Sequence, residues 1–431
     1  VLTERDKTDA VEQDKRLRVL ISAYSCGPGL PSEPGVGWNN VVQASRFHDV
    51  WVVTSEGNRP RIEAELAQNP MPNVTWIWVS LPKWIAWRLG GETGGRVHYY
   101  LYQIAAYQAA KQYEIDHQIT FDIVHHVSYV SYWTPIFLSR LSGKFVWGPV
   151  GGAESAPGSF YQTLNFKGMI YERVRDAVRW AAHHLDPFVR ETAQNAAIAF
   201  ATTRETEEKM RELKAQRIEI LPETGLPAED IDTLIHLPPR TEQKPFRFIS
   251  IGRFLGWKGY HLGLQAFARF HEKNPDSEYW LLGRGPQMGA LQDLAQSLGL
   301  ASAVTFTGFV TRDEVIQRLS NSNVLIHPSL HDSGGWTCLE GMAAGKPVLC
   351  LDLGGPATQV NEETGLIVPA ETPEQSIDAL AEAMAQLAHN PERCAAMGRA
   401  GRQRIQDHFD WNKRGEYLAQ VYAQLVKQVA T

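Results

Sequence analysis

The chain has 431 residues, 43% of them hydrophobic and 21% charged, with a formal net charge of −6. That length suits two domains of ordinary size, each able to bury its own core. The negative balance gives a nucleic-acid partner no electrostatic support, and no apolar run approaches the ~20 residues of a membrane span.

Residues 1–16 are charged and aperiodic, and they read as a flexible tail; no signal peptide is visible after Val1. LRVLISAYS, from Leu17, reads as a buried strand. The loop CGPGLPSEPGVGW follows, then a helix from about Trp38 to Phe47. Strand, glycine loop and helix can together hold a phosphate, and Gly35 and Gly37 sit where that arrangement needs them. DVWVVTS, NVTWIWVSLP, DIVHHVS, KFVWGPVGG, AIAFATT and RIEILPETG then alternate with helical stretches, the pattern of a parallel α/β domain over 17–237. The proline-rich, polar stretch 238–246 reads as a linker. A second alternation, over 247–409, runs through FRFISIGRF, EYWLLGRG, AVTFTGFV, NVLIHPS, PVLCLD and GLIVP. Residues 410–431 read as a final helix that packs back on the first domain. The expected fold is α/β, with two Rossmann-like, doubly wound parallel sheets facing a central cleft. Cys26, Cys338, Cys350 and Cys394 show no Cys-x-x-Cys spacing and read as reduced thiols of a cytoplasmic protein.

The densest chemistry lies in HPSLHDSGGWTCLEGMAAGKPVLCLD, which reads as strand, glycine loop, helix, strand. Asp332 precedes the turn and Glu340 lies on the helix, with seven residues between them. Ligands of open α/β sheets bind at the carboxyl ends of strands. Gly334 and Gly335 allow close backbone approach, and the helix amino terminus aims N–H groups at an anion. A nucleotide sugar uses both features, with donors for its diphosphate and carboxylates for its hydroxyls. In GRFLGWKGY a strand ends at Gly252, and Arg253 and Lys258 form a cation pair suited to a diphosphate leaving group. The competing reading of each pair is solvated surface charge. Gly283-x-Gly285 follows another strand but lacks the third glycine of a dinucleotide fingerprint.

Glu-x7-Glu before Ala-Met-Ala-x-Gly-x-Pro-Val is the mark of family-4 retaining glycosyltransferases of GT-B fold (glycosyl transferases group 1). This chain resembles them closely, with Asp332 for the first Glu and Gly341 for the Ala. Gly-Arg-x4-Lys-Gly matches with the family's spacing, and together with SEPGVGW, HHVSYVSYW and GPVGGAES the resemblance extends from about Leu17 to Val429, nearest to bacterial enzymes of polysaccharide assembly. It implies transfer of a hexose from a UDP- or GDP-sugar to a glycan or lipid-linked acceptor, with no metal and no other cofactor. It further implies that Glu340 holds the ribose, Asp332 the sugar hydroxyls, and Arg253 and Lys258 the diphosphate. Ser333, Gly334, Gly335, Trp336 and Thr337 would orient the sugar through the loop and helix start, Gly252 and Gly283 would shape the nucleotide site, and Gly308 and Val310 fall where the family contacts the base.

In the amino domain, the family has a His after the strand DIVHHVS. Alternation buries His125 against a sheet face and leaves His126 nearer the loop, so His126 is the expected site residue, against a structural His as the alternative. Gly151, Gly152 and Glu154 are candidates for acceptor contact. Asp230-x-Asp232 reads as a solvated pair in a polar turn, and Pro222-Glu223-Thr224-Gly225 replaces the family's Pro-Asn-Gly. Aromatic and basic stretches starting at Lys83 and Phe160 read either as helices on the inner face of the cell membrane or as helices packed on the sheet. Two other functions fit the same fold: a nucleotide-sugar epimerase, or a non-catalytic nucleotide-sugar-binding subunit of a transferase complex.

Overall fold

The computed structural model describes residues 16–30, 32–82, 95–129, 131–163, 166–240 and 244–427. In the amino-terminal half the strands are β1 (Arg18–Ala23), β2 (Asp49–Ser55), β3 (Val74–Val79), β4 (Ile123–Ser128), β5 (Lys144–Val150), β6 (Ala196–Ala201) and β7 (Ile218–Ile220). Between them run helices α1 (Glu33–Phe47), α2 (Arg59–Leu66), α3 (Gly95–His117), α4 (Phe166–Leu185), α5 (Pro187–Asn195) and α6 (Arg204–Glu212). After α7 (Ala228–Ile235) come β8 (Phe246–Ile251), α8 (Tyr260–Lys273), β9 (Ser277–Leu282), α9 (Met288–Ser297), β10 (Val304–Gly308), α10 (Arg312–Ser320) and β11 (Val324–His327). The chain continues through α11 (Trp336–Ala343), β12 (Val348–Leu351), α12 (Gly354–Gln359), β13 (Gly365–Val368), α13 (Pro373–Ala388), α14 (Pro391–His408) and α15 (Trp411–Lys427).

Two parallel sheets result, ordered β3-β2-β1-β4-β5-β6-β7 and β10-β9-β8-β11-β12-β13. β4, β11 and β12 are buried along their whole length, as continuous apolar runs covered by helices on both faces should be. The strand order reverses between β1 and β4 in one sheet and between β8 and β11 in the other. These are the points at which an open parallel sheet splays its loops apart and makes room for a ligand.

The switch between domains comes earlier than the boundary at 237–238 expected from the proline-rich stretch. Leu226, Ile231 and Leu234 share a core with Leu339, Met342, Ile405 and Phe409 of the second domain, so α7 already belongs to that side. The return crossing lies beside it: Leu226 N–H donates to Phe409 O at 2.7 Å, and Trp411 N–H donates to Leu226 O at 3.3 Å. α15 then packs on the first domain, with Leu418, Val421, Tyr422 and Leu425 against Val19, Ile21 and Val41. Arg414 is buried at this double crossing and donates to the carbonyls of Pro222 (2.6 Å), Glu223 (2.9 Å) and Thr224 (3.0 Å). These carbonyls lie where no strand or helix partner satisfies them, so a five-donor guanidinium is the residue that fits.

α1 starts at Glu33 rather than near Trp38, because Pro34 is favoured in a first helical turn. The Lys83 stretch lies outside the described residues up to 94. Its helix α3 turns Tyr99, Tyr102, Ala106 and Ala110 into the fold, the sheet-packed alternative. α4 does the opposite on one side, leaving Ile170, Val174, Val178 and Trp180 exposed. Among the described residues no helix is long and apolar enough to cross a membrane. All four cysteines are free and buried.

Candidate active site

On the second domain the candidate residues gather at the carboxyl ends of β8 and β11. Arg253 follows β8 and is exposed; its guanidinium makes no ion pair among the described residues. Gly252 and Gly283 have φ of 144° and 140°, and a Cβ on Gly283 would lie 1.9 Å from Gly252 O. The two loops therefore touch backbone to backbone, which holds Arg253 at the rim. Gly308 O accepts from Gly283 N–H at 2.9 Å and extends this row of loops, while Val310 packs into the domain core behind them. Arg284 lies over the ring of Phe309, 5.1 Å from its centroid, and Phe309 is the most exposed large apolar side chain described. The sequence reading did not single out either residue.

Asp332 is fully engaged. Its Oδ2 accepts from Lys258 Nζ at 2.5 Å and from His327 Nε2 at 3.0 Å. Its Oδ1 accepts from the backbone N–H groups of Gly334 (3.3 Å) and Gly335 (3.2 Å). Burial alone would raise this carboxyl, but the Lys258 charge and the His327 hydrogen bond hold it well below the usual carboxylate range. Burial keeps His327 neutral, so Nε2–H donates to Asp332 while Nδ1 accepts from Thr337 Oγ1 at 3.1 Å. One carboxylate thus ties the end of β8, the end of β11 and the glycine loop into one unit. Gly335, at φ 52°, turns that loop into α11, whose first N–H groups at Trp336 and Thr337 have no partner inside the helix.

Glu340 is buried on α11 and accepts from Arg312 of α10; Arg312 also lies 3.6 Å from Asp230. Burial pushes the Glu340 carboxyl up, opposed by Arg312 and by a hydrogen bond from the Trp336 side chain. The expectation of a polar turn at Asp230-x-Asp232 is corrected here: both residues lie on α7, with Asp230 in this network, while Asp232 is exposed beside His236, solvated as expected. Arg312 carried no motif in the sequence; only its place on α10 brings it to Glu340.

The first domain supplies the facing wall. Ser333 Oγ donates to Glu223 Oε2 at 2.9 Å, and Thr224 Oγ1 donates to Gly334 O at 2.8 Å. The segment that replaces Pro-Asn-Gly therefore grips the glycine loop directly. Glu223 is also hydrogen-bonded to Glu33 at the start of α1, whose Oε2 accepts from Tyr129 N–H at 2.6 Å. Burial, then the Glu33 charge, raises Glu223 well above the usual carboxyl range, so the two carboxyls share a proton. His331 Nε2 lies between Arg175 Nη1 (2.9 Å) and Glu172 Oε1 (3.1 Å), and its ring stacks on Trp257, which joins α4 to the loop before Asp332.

Other first-domain candidates are turned inward. Gly35 and Gly37 lie inside α1, where a Cβ would meet Leu30 O at 2.2 Å and Ser25 O at 2.1 Å. Both glycines let the helix press on its own loop. His126 is not left open at the loop, as expected: both histidines are fully buried. His126 lies between Tyr99 Oη (3.0 Å) and Ser22 Oγ (2.8 Å), and His125 between Tyr422 Oη and Gly148 O. Burial drops them to about 3 and about 4 respectively, so both stay neutral. β4 is central and covered on both faces, so alternation cannot expose either ring. Glu154 Oε1 accepts from Thr203 and Thr206, its Oε2 accepts from Gly152 N–H at 2.8 Å, and Gly151 faces Ser333 across the cleft.

Residues 234–404 match the family model described as Glycosyl transferases group 1. Over 181 residues the chain is 31% identical to the GDP-mannose-dependent alpha-(1-6)-phosphatidylinositol monomannoside mannosyltransferase of Mycolicibacterium smegmatis, covering 40% of this chain and 46% of that protein. Alpha-D-kanosaminyltransferase of Streptomyces kanamyceticus is 26% identical over 267 residues, 59% of this chain and 66% of the relative. The match thus spans less than half the length of the first of these relatives. Among solved structures, sucrose-phosphate synthase from Thermosynechococcus elongatus superposes with a TM-score of 0.63 at 20% identity, covering 96% of this chain and all of that one. The lipopolysaccharide outer core galactosyltransferase WaaB superposes with 0.63 at 15% identity, over 95% of this chain and all of that one. At such identities these likenesses carry the fold.

Proposed function

Because the chain carries a glycosyl transferases group 1 domain on a GT-B fold, we propose that it is a retaining hexosyltransferase of family 4. The donor is a UDP- or GDP-sugar, and the acceptor is a hydroxyl of a glycan or lipid-linked glycan in polysaccharide or glycolipid synthesis. The observation that carries this reading is the meeting of Arg253, Lys258, the Asp332–Gly335 loop and Glu340 at the switch point of the second sheet.

Arg253 and Lys258 neutralise charge that grows on the diphosphate as it leaves. Lys258 spends one of three donors on Asp332 and keeps the others for phosphate. Asp332 sets the shape of the glycine loop by taking the Gly334 and Gly335 N–H groups, and the N–H groups of Trp336 and Thr337 at the start of α11 orient the sugar. Glu340, freed from Arg312, takes the ribose hydroxyls, and Phe309 offers the base a face. The C1–O bond to phosphate breaks, the acceptor oxygen bonds to C1 on the same face, and its proton passes to the departing phosphate oxygen. These cations supply the positive charge, so the reaction as proposed needs no resident metal, and activity should survive EDTA.

The exposed stripe Ile170, Val174 and Val178, with Trp180 and Arg173 nearby on α4, supports contact with the inner face of the cell membrane, where a lipid-linked acceptor would be met. Screening UDP-, GDP- and ADP-sugars by thermal shift tests the donor reading, because only a ligand that prefers the folded state raises Tm. A rise with none of them would remove the reading's basis.

A further inference from the structure

Arg312 stands between two carboxylates. Its Nη1 donates to Glu340 Oε1, and its Nη2 lies 3.6 Å from Asp230 Oδ1. The first contact is a closed hydrogen bond; the second is an ion pair still too long to be one. The three groups come from three elements. Arg312 opens α10, Glu340 lies on α11, and Asp230 is in the first turn of α7. Three residues before Arg312 stands Phe309, so the trio lies directly behind the loop offered to the base.

The two ends of the trio differ in freedom. The Glu340 side chain is 7% exposed, whereas those of Arg312 and Asp230 are 40% and 38% exposed. The inner carboxylate is therefore fixed, and the outer pair has room to move. The backbone that carries Asp230 is firm, because Ile231 and Leu234 of α7 share a core with Leu339 and Met342 of α11. A movement of about 1 Å brings the guanidinium to the ~2.8 Å of a charge-assisted hydrogen bond with Asp230. The charges favour that movement once Glu340 has another partner. Arg312 steadies the Glu340 carboxylate against burial, and the Asp230 charge works against it. Asp230 thus competes with Glu340 for one guanidinium.

We propose that Asp230 is a positioning residue for the donor: when a ribose diol takes Glu340, Arg312 passes from Glu340 to Asp230. This rests on the reading that Glu340 holds the ribose. Asp230 touches no part of the donor. It acts by receiving the cation that the diol displaces, which otherwise has only water to turn to. The effect has the size of a partly exposed ion pair, about threefold in affinity.

The test is calorimetric titration of the full chain with UDP and GDP, each in its ribose and its 2′,3′-dideoxy form. Asp230→Asn should weaken the ribose form about threefold and leave the dideoxy form unchanged, since without a diol nothing displaces Arg312. Asp230→Glu, which keeps the charge, should recover part of the loss. Glu229→Gln removes an equal charge from the same turn of α7 and should change neither form. In an Arg312→Ala background, Asp230→Asn should have no effect on either form. Equal weakening of both forms, undiminished affinity for the ribose form, or the same loss in the Arg312→Ala background would overturn the assignment. Glu340→Gln separates this from the reading beneath it. It should weaken the ribose form alone; if it weakens both forms equally, the ribose reading fails and the proposal with it. If Glu340→Gln distinguishes the two forms and Asp230→Asn does not, the transfer of Arg312 alone is wrong.

Discussion

At the scale of single residues, the Asp332–Lys258 pair does two jobs that mutation can separate. Arg253 is exposed and tied to nothing described, so Arg253→Ala should lower turnover by about 10²–10³-fold with little change in Tm. Lys258→Ala removes the partner of a nearly buried carboxylate and should cost about 3 kcal/mol of stability as well as activity. Asp332→Asn keeps the size of the side chain but leaves Lys258 unpaired and frees the loop; it should lose most turnover, and Asp332→Glu should not restore it. Steady-state kinetics beside thermal melts distinguish these outcomes, and normal turnover in Asp332→Asn would reduce that residue to structural bracing. The pairing of two carboxylates was legible because a seven-residue spacing across a glycine loop is local. What each carboxylate holds was not legible. Arg312 reaches the site from a separate element and nothing in its own neighbourhood marks it; His327 and Glu223 lie in stretches the sequence marks, but their contacts to Asp332 and Ser333 are made only by the fold.

At the scale of elements, the strands and their parallel order were legible because buried parallel strands are short apolar runs. The boundary between the domains was not, because α7 and α15 each serve the domain that follows or precedes their own half of the chain. Proline and polarity mark a linker; packing decides which side a helix belongs to. Arg414 fastens this exchange, and Arg414→Met should destabilise by about 3 kcal/mol, since three carbonyls lose their donor. Arg414→Lys should recover only part of that, because an ammonium cannot span the same fork. Denaturant unfolding measures both, and a wild-type midpoint for Arg414→Met would contradict the clasp. α4 makes a separate prediction. If its exposed stripe meets lipid, the protein should sediment with anionic vesicles at low salt, and Val174→Asp with Val178→Asp should abolish this. Sedimentation unaffected by the two substitutions would assign any membrane contact to another surface.

At the scale of the whole molecule, the cleft is closed through groups that titrate. Glu33 and Glu223 share a proton between α1 and the segment gripping the glycine loop. The folded state therefore binds more protons than the unfolded state from the ordinary carboxyl value, about 4.3, up to the raised one, and stability falls as pH rises through that window. Glu223→Gln keeps a donor for Glu33 and should flatten the fall; Tm recorded from acid to alkaline pH reads it directly, and an unchanged slope would contradict proton sharing. The central claim is that the cleft transfers a hexose and does not merely bind or isomerise its donor. The most direct measurement is product analysis with the UDP- or GDP-sugar that raises Tm most, together with a glycan or lipid-linked acceptor. The account predicts nucleoside diphosphate released in step with a glycosylated acceptor of retained anomeric configuration, both lost in Arg253→Ala. Donor returned as an isomer with its diphosphate intact, or bound without turnover, would contradict it.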